Sequence, residues 1–72
     1  MRIVIVGLGY VGAVTGSTLA QMGHDVTLVD KDESKVNLLN QGKSPIAEPG
    51  LAELISDMRS SGQLQATTDI KQ

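Results

Sequence analysis

The chain has 72 residues, a formal net charge of -2, 40% hydrophobic and 19% charged residues, one histidine and no cysteine. That length permits one small domain, marginal alone because it buries only about 60% of its unfolded surface, and the composition is globular rather than disordered. The missing thiols exclude disulfides and thiolate metal sites, and one histidine is too few for a metal cluster. No basic run suggests nucleic acid as a partner, and no segment approaches the ~20 apolar residues of a membrane span. A soluble, cytoplasmic protein is the expectation. Met1 to Val6 is too short an apolar run for a signal peptide and runs into glycines instead of a cleavage site.

Residues 2–6 read as a first strand. Ile3 to Val6 form an unbroken β-branched run with no alternation, the pattern of a parallel strand buried on both faces. Gly7-Leu8-Gly9-Tyr10-Val11-Gly12 follows at once. Glycines at this spacing after a strand form the dinucleotide-binding fingerprint. Gly7 lets the chain turn off the strand, Gly9 lets a pyrophosphate approach the backbone, and Gly12 lets the next helix press on the strand. Residues 10–22 read as that helix, with Val11, Val14, Thr15, Leu19 and Met22 on an apolar side and Gly12, Gly16 and Ala20 lining a close-packed face. Gly23 ends it.

Residues 25–30 read as a second strand ending at Asp30, near the spacing of about 20 residues expected for the acid that binds the adenosine ribose. Asp32 can cap a short helix over 33–41, with Val36 and Leu39 inward and Gly42 closing it. Lys43 to Ala47 reads as a loop around Pro45. Pro49 suits the first position of a third helix, whose stripe is Leu51, Leu54, Ile55 and Met58. Gly62 stops it. Leu64 to Thr68 reads as a short third strand, and Asp69 as the cap of a following helix.

The order β-α-β-α-α-β with right-handed crossovers predicts three parallel strands in spatial order 3-2-1. This is an α/β class: a partial Rossmann fold, half of a doubly wound sheet. The free edge then belongs to the first strand, an aggregation template unless covered. Further C-terminal domains or a homo-oligomeric partner would cover it, and a fragment of a longer protein is the expectation.

The aspartate charge at position 30 repels a 2′-phosphate, which predicts NAD over NADP. Lys35, one turn into the next helix, is placed to reach the adenosine end, though a solvated lysine explains it equally well. Tyr10, the one aromatic, and Val11 would bind pyrophosphate through backbone N–H groups. His24 has no evident catalytic partner and reads as a surface residue. Met22 and Met58 read as core filler, Glu48 as an acid near a helix N-terminus, and Asp57 and Arg59 as solvated charges. No catalytic or metal-ligating residue emerges.

The glycine loop with Tyr10-Val11, then Asp30, Ser44-Pro45-Ile46, Glu48-Pro49-Gly50-Leu51 and Thr67-Thr68-Asp69 together resemble the UDP-glucose/GDP-mannose 6-dehydrogenase family. The match runs over nearly the whole chain. Its Ser44 to Leu51 segment is far more specific than the glycines, because other dinucleotide folds lack it. The resemblance implies an NAD-dependent, four-electron oxidation of a nucleotide sugar, taking the C6 alcohol to a carboxylate through two hydride transfers. It also implies a cysteine that captures the aldehyde as a thiohemiacetal and is freed by thioester hydrolysis. That chemistry belongs to later domains and has no counterpart among these residues. The chain corresponds to the first part of the cofactor domain over residues 1–72, and alone it should not turn over substrate. The cofactor roles carry over to Gly7, Gly9, Tyr10, Val11, Gly12, Asp30 and Lys35, the last being where the family places a basic residue toward the adenosine. The wording Gln41-Gly42-Lys43-Ser44 leans toward GDP-mannose without deciding the substrate. The alternatives are another NAD-dependent dehydrogenase, of 3-hydroxyacyl or 6-phosphogluconate type, and a non-enzymatic nucleotide-binding module.

Overall fold

The computed structural model describes residues 1–69. Strands β1 (Arg2–Val6), β2 (Asp25–Val29) and β3 (Leu64–Thr67) alternate with helices α1 (Tyr10–Gln21), α2 (Glu33–Asn40) and α3 (Leu51–Ser61), the last two in succession. All three strands are parallel, in spatial order β1-β2-β3, with Ile3 beside Val26 and Val26 beside Leu64. The expected half of a doubly wound sheet is therefore present. The helix expected after Asp69 lies outside the described residues.

The core lies between the sheet and the helices. Leu8, Leu28, Leu39, Ile55 and Leu64 are fully buried, with Ile3, Ile5, Val14, Leu19, Ile46 and Met58 packed around them. Each such burial is worth about 1.5–3 kcal/mol. Val36 and Leu39 of α2 and Leu51 and Ile55 of α3 turn inward as their spacing required.

Helix α1 departs from its expected apolar side. Its buried residues are Ala13, Gly16, Ser17 and Ala20, while Val11 and Met22 are 72% and 68% exposed. The cause is the close approach to β2: a Cβ on Gly16 would stand 2.7 Å from Leu28 Cδ2 and 3.4 Å from Val26 Cγ1. Only small side chains fit that seam, so Met22 is not core filler, and Thr15 is solvent-facing too.

β1 is not buried on both faces. Val4 is 48% and Val6 66% exposed, because no described element covers the sheet face they occupy. The ladder bonds Asp25 N–H to Met1 O and Gly7 N–H to Val29 O show which β1 residues face β2. By the alternation of a parallel ladder, the backbone groups of Arg2, Val4 and Val6 point the other way, to the sheet edge. The β3 edge is treated differently. Asn40 donates from Nδ2 to Ala66 O (2.8 Å) and accepts from Ala66 N–H at Oδ1 (3.0 Å), and Arg59 Nη1 donates to Leu64 O (3.0 Å). Arg59 Nε also donates to Asn40 O. Arg59 is thus a half-buried clasp between α2, α3 and β3 rather than a solvated charge.

Two further expectations shift. Helix α3 begins at Leu51, with Gly50 as its N-cap at φ 83°, so Pro49 precedes the cap instead of opening the helix. A left-handed residue at the cap reverses the chain between Pro49 and the helix, which glycine does without a Cβ penalty. His24 is half-buried, its Nδ1 enclosed without a hydrogen-bond partner, rather than lying on the surface.

Candidate cofactor-binding site

The turn from β1 into α1 is built by its glycines. Gly7 adopts φ 108°, a region that costs any residue with a Cβ, and its N–H extends the ladder to Val29 O. A Cβ on Gly12 would overlap the Gly7 carbonyl oxygen, so the helix can seat this closely on the strand end only without one. Gly9 is the N-cap of α1, in an extended conformation, and nothing lies within 4 Å of where its Cβ would be. The space in front of Gly9 is open to a ligand.

Helix α1 has no side-chain cap and no acidic residue in its first turn. The N–H groups at its start have no intrahelical acceptor and carry the positive end of the helix dipole. This arrangement suits a phosphate. Two openings flank it. One, about 530 Å³, is lined by Ile5, Val6, Gly7, Gly9, Tyr10, Val11, Gly12 and Thr15. The other, about 400 Å³, is lined by Val6, Gly7, Val29, Asp30, Lys31 and Thr68. Val6 and Gly7 line both, so the two openings lie on either side of the glycine turn, the second of them at the carboxyl ends of the strands. A crevice there is where open α/β sheets take ligands.

Asp30 stands at the end of β2 beside this turn. Its Oδ2 accepts the Leu8 N–H at 2.7 Å and its Oδ1 accepts the Asp32 N–H at 2.8 Å. The Asp32 N–H first, then the Leu8 N–H, hold the carboxyl below the ordinary aspartate value, against a smaller opposing effect of burial and with help from the Lys35 and Lys31 charges. Asp30 is therefore ionised at neutral pH. Each carboxylate oxygen keeps a second acceptor direction, leaving room for a sugar hydroxyl. Lys35 is half-buried on α2, near enough to act on Asp30 by charge.

The structure thus places Gly7, Gly9, Tyr10, Val11 and Gly12 around one opening and Gly7 and Asp30 around its neighbour, while Lys35 lines neither and acts on Asp30 by charge. The sequence reading passed over Leu8, whose side chain is wholly buried while its N–H reaches Asp30, and over Lys31 and Thr68 in the crevice wall. An aliphatic residue between two glycines was the available signal for Leu8. Its amide partner is set by tertiary approach and leaves no trace in spacing. Among the described residues, no group of three or more acids, histidines or cysteines could hold a metal ion, and no helix is long and apolar enough to cross a membrane.

Residues 1–72 match the model of the UDP-glucose/GDP-mannose dehydrogenase family, NAD binding domain. The chain belongs to that family. NAD is accordingly the cofactor of this domain, and the open helix mouth and glycine cradle fit it. Across 99% of the chain it is 55% identical to GDP-mannose 6-dehydrogenase of Pseudomonas aeruginosa and 49% identical to UDP-glucose 6-dehydrogenase of Rhizobium meliloti. A crystal structure of a ternary complex of the P. aeruginosa GDP-mannose dehydrogenase superposes over 99% of the chain with a TM-score of 0.96 at 55% identity. UDP-D-ManNAc dehydrogenase from Pyrococcus horikoshii does so with a TM-score of 0.93 at 32% identity, over 99% of this chain and 17% of that one. The chain spans 16% of the length of the two curated relatives and of the P. aeruginosa crystal structure. The fold, the cofactor class and the family read from the glycine loop and the Ser44 to Leu51 segment all stand.

Proposed function

We propose that this chain serves as the first part of the NAD-binding domain, residues 1–72, of a cytoplasmic nucleotide-sugar 6-dehydrogenase that oxidises GDP-mannose or UDP-glucose at C6 to the uronic acid. The observation that carries the reading is the uncapped mouth of α1 between two openings that share Val6 and Gly7, with an ionised Asp30 on one side. In this arrangement the first-turn amides of α1 hold the diphosphate, with Tyr10 and Val11 contributing backbone N–H groups. Gly7, Gly9 and Gly12 shape the turn. Asp30 accepts hydroxyls of the adenosine ribose, and Lys35 attends the same end. NAD supplies the hydride-accepting centre. Nucleotide-sugar recognition and the reacting side chains fall to the rest of the enzyme, for these residues include no cysteine. The uncovered β1 edge and the exposed Val4 and Val6 accord with further structure continuing the sheet there.

Titration of the full-length protein with NAD and NADP tests the cofactor site. NAD should bind more tightly, and Asp30→Ala should weaken it by ~1–3 kcal/mol. Equal or tighter binding of NADP would contradict the role given to Asp30. Offering GDP-mannose and UDP-glucose with NAD to the full-length protein, and following NADH, tests the substrate class. Release of NADH by residues 1–72 alone would overturn the division of labour.

A further inference from the structure

Asp30 does more in this fold than end a strand. One oxygen of its carboxylate is tied to the β1–α1 turn through the Leu8 N–H and the other to the β2–α2 turn through the Asp32 N–H. Leu8 is the only residue between Gly7 and Gly9, and its side chain is fully buried in the core. Its side chain and its amide are therefore both held, one by packing and one by Asp30. The peptide between two conformationally permissive residues is fixed from both sides, and Gly9, the cap of α1, comes next. A hydrogen bond to a charged acceptor is also about twice as strong as one between neutral groups.

We infer that Asp30 is a positioning residue for the glycine turn, holding the Leu8 peptide so that the α1 amides are aimed before the dinucleotide arrives, in addition to touching the ribose. The inference rests on the cofactor reading above for its purpose. It also bears on cofactor choice. A neutral residue at position 30 that removed the repulsion of a 2′-phosphate would also release the turn. Single substitutions there should lose NAD without gaining NADP. The two roles separate cleanly in ligands, because an NAD analogue whose adenosine ribose lacks both hydroxyls cannot use the ribose contact but still needs the aimed amides.

Asp30→Ala is the variant of choice, since it removes the acceptors of both the Leu8 and the Asp32 N–H groups. In the cofactor-free full-length protein, the Leu8 amide should exchange with solvent at least tenfold faster in Asp30→Ala than in the wild type. The 2′,3′-dideoxyadenosine analogue of NAD should bind the variant at least threefold more weakly than the wild type. Unchanged exchange at Leu8, or equal binding of the analogue by the two proteins, would overturn the inference and leave Asp30 as a ribose contact alone. If the analogue arm fails while NAD binding itself still drops, the ribose reading survives and the strut does not.

A second measurement needs no variant. In the wild type, the Leu8 and Asp32 amide proton resonances should move together as acid is added, with one midpoint below the ordinary aspartate value. The charged groups around the carboxylate are Lys31 and Lys35, and Asp32, whose own carboxyl accepts from Ser34 and Lys35. A Leu8 resonance that ignores the titration, or follows the Asp32 side chain while the Asp32 amide does not, would refute the strut.

Discussion

The N-termini of α1 and α2 lie side by side at the carboxyl end of the sheet and are finished in opposite ways. At α2, Asp32 closes the helix: its Oδ1 accepts the N–H of Ser34 at 3.0 Å and of Lys35 at 3.4 Å, and the Ser34 hydroxyl at 2.6 Å. Glu33 adds negative charge to that first turn. At α1 the cap is Gly9, which offers no side chain, and no acid follows. One helix satisfies its own orphan amides and the other leaves them without a side-chain cap, as the proposed diphosphate site requires. Both are helix mouths with the same dipole, so the dipole alone does not make the site. Leaving it uncapped does, and Asp30 sits between the two and bonds to both turns.

Closing the open mouth sterically should have the largest effect. In Gly12→Ala the new Cβ overlaps the Gly7 carbonyl oxygen, which is backbone and cannot step aside. The helix must back away from the strand end, at a cost of ~1–3 kcal/mol in stability. NAD affinity, read by calorimetric titration, should drop about 100-fold, near 2.8 kcal/mol. An unchanged affinity would mean that the cradle plays no part.

Gly9→Ala sharpens the contrast by separating ligand from fold. Its φ of -80° is comfortable for alanine and no protein atom lies within 4 Å of the added methyl, so thermal unfolding should hold within ~0.5 kcal/mol. NAD binding should still weaken about tenfold, because the methyl stands where the diphosphate approaches. The reciprocal experiment is Asp32→Ala, which uncaps α2. It should lower the melting temperature and leave NAD affinity within twofold, since the Asp32 amide that serves Asp30 is retained.

The smallest effect is on pH. Both Asp30 and Asp32 are held below the ordinary aspartate value of 3.8, Asp30 chiefly by the Asp32 and Leu8 amides and Asp32 chiefly by the Ser34 hydroxyl. Lowered values mean that the folded state favours the charged form, so their contribution is complete above pH 3.8 and disappears as pH falls through the lower folded values. Thermal melts should show no change from neutral pH down to about pH 5 from these groups, then a decline below pH 4. In Asp32→Ala that decline should be shallower.

The parts of this architecture that depend on neighbours in sequence could be read from it. The β-branched runs, the glycine spacing, Asp30 at a strand end and Asp32 at a helix start are local features whose physics is local, and they fell where the spacing put them. What could not be read depends on how closely two elements approach. The seam between Gly16 and Leu28 turned Met22 and Val11 outward, although their helical spacing alone had placed them inward. Arg59 became a clasp because the ends of α2 and β3 converge on it. The Leu8 amide found Asp30 across 22 residues of sequence, a contact no pattern announces. The residues of the candidate site could be picked out in the sequence but not their contrast, for the sequence marks Asp32 as a cap without revealing that Gly9 leaves its own helix open.

The most direct test follows the backbone amide resonances while NAD is titrated into the full-length protein. The account predicts that the largest shifts fall on Gly9, Tyr10, Val11 and Gly12, with Leu8 and Asp32 next, while Ser34 and Lys35, already bonded to Asp32, barely move. Shifts centred on the α2 amides, or none at residues 9–12, would contradict it.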